Sequence, residues 1–116
     1  MAVTYNFTIN QGTDCTVPFA LSDSTGLNVD LTGFTAAMQL RVQIGSLAAV
    51  DTLTTDNGRI EISPEEGKIV CSFPHAQTTK YPVRTLVYDL EITSAGGEVT
   101  RVVQGKITVS GEVTRV

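Results

Sequence analysis

The dominant period along this chain is two. Val3, Tyr5, Phe7 and Ile9 alternate with Thr4, Asn6 and Thr8, and after Gln11-Gly12-Thr13-Asp14 a second run places Cys15, Val17, Phe19 and Leu21 on one face. Strict alternation is the mark of a half-buried strand. Pro18 inside the second run points to an edge position or a bulge, because proline donates nothing to a ladder. Ser22-Asp23-Ser24-Thr25-Gly26 reads as a turn. Ala36, Met38, Leu40 and Val42 then alternate with Ala37, Gln39 and Arg41. These are good helix formers, but the segment is short and strictly alternating, so a strand is expected.

Past Gly45-Ser46, residues 47–54 read as a weaker strand. Asn57-Gly58 is the strongest short hairpin signal and leads into Arg59-Ile60-Glu61-Ile62. Pro64-Glu65-Glu66-Gly67 is a further turn, and Lys68–Phe73 a strand with Ile69, Cys71 and Phe73 on one face. Residues 74–82 are irregular, with room for one helical turn crossing between sheets. A hairpin closes the pattern. Leu86, Tyr88, Leu90 and Ile92 run to Ser94-Ala95-Gly96-Gly97, and Val99, Val103, Ile107 and Val109 return. Val102 breaks the alternation and predicts a bulge near Arg101–Gln104. Gly105 predicts a close approach of backbone or of a bulky side chain from the other sheet. Tyr88 stands where a tyrosine corner would fall. The sum is an all-β fold, a single immunoglobulin-like β-sandwich of roughly seven to nine antiparallel strands spanning residues 1–116.

Composition narrows the function. The 116 residues suit one domain, and no linker, repeat or low-complexity segment divides them. Apolar residues make up 41% and charged residues 17%, which argues against disorder and leaves neutral surface for partners. The net charge of −4 comes with no basic cluster, so neither nucleic acid nor an anionic membrane is an expected partner. Met1–Asn6 lacks a basic leader and apolar core, and no apolar run reaches the length of a membrane span. Synthesis in a cytosol is the expectation. There Cys15 and Cys71 are expected as buried free thiols, a bridge requiring both to point into one core at the right spacing.

Candidate chemistry is sparse. His75, the single histidine, lies in the irregular segment with no signalled partner for a triad or a zinc site, and is expected as an exposed loop residue. Asp23–Gly26 and Asp56-Asn57-Gly58 carry oxygen ligands but not the twelve-position calcium loop. Adjacent side chains Glu65 and Glu66 diverge, unlike a glycosidase dyad. No catalytic residue, cofactor or metal is therefore expected. Thr8, Thr16, Gln39, Ser72, Thr100 and Thr108 make the outward strand positions neutral and polar. The alternating Val3–Ile9 run and the tail Gly111–Val116 either pair inside the sheet or reach to a neighbouring subunit.

Three stretches carry a resemblance: VDLTGFTAAMQLRV (29–42), TTDNGRIEI (54–62) and VYDLEITSAGGEVTRVVQGKITVSGEVTR (87–115). With a D-L-T-G-aromatic turn, an N-G-R-I segment and a Y-D-L-E hairpin ending in V-T-R, the chain resembles small immunoglobulin-like virion proteins of tailed bacteriophages, similar to N-terminal domains of baseplate and tail-fibre proteins. The likeness runs in order from Phe7 to Arg115. It implies a non-enzymatic structural protein of the virion, a tail, baseplate or neck adaptor made in the host cytoplasm, whose partners are other virion proteins and itself in a symmetric ring. A capsid decoration protein on the same scaffold is the alternative. A carbohydrate-binding module is a further one, with Phe34 and Tyr81 as the aromatics expected outside the core.

Overall fold

The computed structural model describes residues 2–114. Among them, nine strands follow the alternation: β1 (Val3–Thr4), β2 (Phe7–Asn10), β3 (Cys15–Ala20), β4 (Thr35–Arg41), β5 (Asp51–Thr54), β6 (Ile60–Ser63), β7 (Lys68–Phe73), β8 (Thr85–Thr93) and β9 (Val99–Ser110). The larger sheet has the order β1-β9-β8-β4-β5, with β2 following β1 along the same edge of β9. The smaller sheet has the order β3-β7-β6. The fold is an all-β immunoglobulin-like sandwich, and the two sheets enclose a core that includes Ile9, Leu40, Leu53, Ile69, Phe73 and Ile107.

Strand β4 shows why alternation suffices. Ala36, Met38 and Leu40 are buried while Thr35, Ala37 and Gln39 are exposed, so helix propensity yields to a period that fits a sheet face. Strand β3 is an edge, as Pro18 predicts, and it pairs with β7 alone. The bulge falls where Val102 breaks the pattern: Leu90 pairs with Val103 but Glu91 pairs with Arg101. The β7-to-β8 crossing between sheets carries one helical turn, α1 (His75–Thr78), and there the buried Thr78 hydroxyl donates to the Thr13 carbonyl at 2.8 Å.

Four expectations are corrected. The sandwich is not wholly antiparallel, since β1 and β2 run parallel to β9. The first run does not place all its apolar residues inside: it breaks at Tyr5-Asn6, and Val3 is 64% exposed and Tyr5 46%. Residues 47–50 are loop, and only 51–54 form a strand. Most instructive, Asn57-Gly58 makes no hairpin. Strand β5 belongs to the larger sheet and β6 to the smaller, so this turn is a corner between sheets. Gly58 has φ of +77°, but Asn57 is not left-handed as a two-residue hairpin turn requires. Its side chain instead accepts from the Thr54 and Arg59 amides, both at 3.0 Å, and donates to the Thr52 carbonyl at 3.1 Å.

The chain ends stay with this molecule as far as they are described. Strands β1 and β2 pair on β9, and the Glu112 amide donates to Gln11 Oε1 at 3.2 Å. Arg115 and Val116, the end of the predicted alternating tail and of the V-T-R motif, lie outside the described residues.

Candidate functional site

The residues singled out for chemistry stay apart. His75 opens α1 on the surface, where its amide donates to Asp14 Oδ1 at 2.7 Å and its Nδ1 lies 3.0 Å from the same oxygen. The backbone hydrogen bond, then the ring, hold the Asp14 carboxyl below the usual range. Both side chains are more than two-thirds exposed, so the pair caps the start of α1 in solvent. Asp23 Oδ1 accepts from the Thr25 and Leu27 amides at 2.9 and 3.1 Å, which makes it a turn former. Glu65 and Glu66 lie in a single 3₁₀ turn closed by Gly67 in the left-handed region. Among the described residues no three His, Cys, Asp or Glu side chains converge on a point where a metal ion could bind.

Both cysteines are free thiols. Cys15 pairs with Phe73 and Cys71 with Val17, so the two sit diagonally on neighbouring strands. That diagonal is ~7–8 Å, beyond the reach of a disulfide without backbone movement. Burial pushes the Cys71 thiol up to about 12, and it is inert at neutral pH.

The strongest polar constellation is one that spacing does not announce. At the β5–β6 corner Arg59 meets Asp51 through Nη2 and Nη1, at 2.7 and 3.3 Å, and its Nε donates to the Ser72 carbonyl at 2.9 Å. Tyr81 donates its hydroxyl to the same carboxylate. Burial opposes the charge on Asp51, but the bonds from Arg59 and Tyr81 outweigh it and hold the carboxyl below the usual range. Burial, reinforced by Asp51, raises the Tyr81 phenol well above its ordinary value. Every buried side-chain polar atom among the described residues has a partner, so the triad is closed. It ties the corner to the segment before β8 and presents no group to a substrate.

Tyr81 is thereby only 2% exposed, and Phe34 packs partly buried against the core. Of the two aromatics expected outside the core for stacking on sugar, Tyr81 is inside it, whereas Phe34 keeps part of its surface exposed. Tyr88 is no tyrosine corner either. It sits mid-strand and its hydroxyl donates to the Tyr5 carbonyl, 83 residues upstream. That carbonyl fills the space above Gly105, where a Cβ would come within 2.1 Å of it. The predicted close approach is thus one of backbone, from the adjacent β1–β2 segment.

What remains is surface. The outer face of the larger sheet bears a shallow groove of about 590 Å³, with Gln39, Arg41, Asp89, Glu91, Gln104 and Lys106 among its lining residues. Arg101 Nε lies 3.3 Å from Asp89 on this face. Beside the groove runs a loop with no charged residue from Val42 to Val50. Hydrogen bonds fix its shape: Arg41 Nη1 donates to the Ser46 carbonyl at 2.9 Å and the Ser46 amide to Gln43 at 3.0 Å. Ile44 is 89% exposed and Leu47 wholly so, with Ala48 exposed beside them. The sequence signal for this loop was its lack of charge, which the expected strand over 47–54 obscured.

No family model matches the chain, and no curated protein matches it. Among solved structures, the crystal structure of CopC from Methylosinus trichosporium OB3b is similar over 92% of this chain and 87% of that one, at 11% identity and a TM-score of 0.49.

Proposed function

We propose that this protein is a structural, non-enzymatic component of a tailed-phage virion, an adaptor of the tail, baseplate or neck that works by protein–protein contact. The observation that carries the reading is the uncharged 42–50 loop, whose hydrogen bonds hold Ile44 and Leu47 out in solvent with none of the described residues covering them. Apolar side chains fixed outward by a built turn suit docking into another protein. The ordered resemblance of residues 29–42, 54–62 and 87–115 to small virion proteins supplies the setting. The closed Asp51–Arg59–Tyr81 triad fits a scaffold whose polar groups serve stability rather than reaction.

The test is quantitative mass spectrometry of purified virions of the phage that encodes the chain. An adaptor gives a few to a few dozen copies in multiples set by closed rotational symmetry. Hundreds of copies would replace the adaptor with a head-surface decoration protein. Absence from the particle overturns the virion reading.

A further inference from the structure

The outer face of the larger sheet has a charge arrangement that only some partners match. Strand register fixes it. On β8 the outward residues Val87, Asp89 and Glu91 stand beside Lys106, Gln104 and Arg101 of β9. On the far side of β8, Arg41 and Gln39 of β4 stand level with Val87 and Asp89. On the far side of β9, Thr4 stands level with Gln104. Among the described residues neither Glu91 nor Lys106 has an ion-pair partner.

We propose that a second copy of this chain covers this face, about a two-fold axis running along the strands between β8 and β9. This rests on the protein–protein contact proposed above and names one partner, a second copy. Rotation about that axis exchanges the β8 and β9 columns at each level. Glu91 then faces the partner copy's Arg101, twice by symmetry, and Asp89 faces the amide of Gln104. Lys106 lays its aliphatic stem over Val87. No like charges face each other directly, although Arg41, level with Val87, stands one strand column from that lysine. The other in-plane axis, across the strands at the level of Asp89, brings Arg101 against the Lys106 of the second copy, which like-charge repulsion disfavours. A second copy of the same face is thus a complementary occupant with one defined orientation.

Size is compatible. This axis superposes four strand columns, and at about 4.8 Å each over roughly seven residues of about 3.4 Å they cover roughly 460 Å² per copy, the range of weak, transient contacts when both copies are counted. A weak, charge-dependent dimer is the expectation.

Sedimentation velocity of the full chain at low salt, up to about 1 mM protein, reads the dimer directly. Glu91→Arg and Arg101→Glu are each expected to weaken it by at least about 30-fold, since each places like charges across the axis twice. An equimolar mixture of the two variants restores a dimer, because each supplies the charge that the other lacks. That rescue also shows that both single variants are folded. Wild type that stays monomeric over the whole range overturns the proposal, as does a dimer indifferent to both substitutions or a mixture that fails to associate. A monomer would leave the virion copy number untouched, and absence from virions would leave the dimer untouched, so the two readings fail separately.

Discussion

At the scale of single residues, two buried arrangements dominate. Gly105 has no room for a side chain, because the Tyr5 carbonyl lies where a Cβ would be and that atom is backbone. Gly105→Ala is expected to lose roughly 1–3 kcal/mol by overpacking. Tyr88→Phe removes the hydrogen bond to the same carbonyl and costs about 1 kcal/mol. Both act on one backbone segment, so their sum in urea denaturation should exceed the double variant's loss. Strict additivity would separate the two contacts.

The Asp51–Arg59 pair belongs to the same scale. Its side chains are 8% and 15% exposed, so Asp51→Ala strands a buried guanidinium and is expected to cost roughly 3–5 kcal/mol. Arg101→Ala, which breaks a half-exposed pair, costs under about 1 kcal/mol. The acid limb gives a second readout. The folded value of Asp51 lies below its ordinary 3.8, so as pH falls the unfolded chain takes up the proton first. The stabilisation is complete above the ordinary value and is lost as pH drops through the folded one. Asp51→Asn should therefore show a shallower fall in Tm below about pH 4 than wild type. An unchanged slope would assign acid unfolding to other carboxylates.

At the scale of elements, legibility in the sequence followed from where the determining force was local. Alternation in 36–42, 68–73 and 86–92 was enough, because each strand pays out its pattern onto one buried face. The extra residue at Val102 and the missing side chain at Gly105 were equally local signals. The Asn57-Gly58 turn was misread because the same two residues serve a hairpin or a corner, and the choice depends on which strand lies beside β5. That strand is β4, which ends at Arg41, well upstream of the turn in sequence. Tyr81 was misplaced outside for a similar reason: its partner Asp51 is 30 residues away and no spacing rule links them. Since Asn57 holds the corner through three side-chain hydrogen bonds, Asn57→Ala is expected to cost about 2 kcal/mol. Asn57→Asp keeps the two accepting bonds and should recover more than half of that in the same denaturation series. Equal losses would mean that Gly58 alone makes the turn.

At the scale of the whole molecule, the two sheets meet over Cys71, which pairs with Ile60 and Val17 in the smaller sheet and has no exposed surface. Cys15, two residues before Val17 at the start of an edge strand, is only half-buried. A thiol reagent therefore distinguishes local fraying from separation of the sheets. Cys15 is expected to react in the native protein, slowed by partial burial that raises its thiol. Cys71 is reached only when the sandwich opens, so its labelling rate should follow the global opening equilibrium and rise with every variant above that destabilises the fold. Substituting Cys15 by Ser isolates the slow phase. If Cys71 then labels as fast as Cys15 does in wild type, the smaller sheet opens independently of the larger one. The corner triad would in that case hold β5 to β6 without holding the sandwich shut.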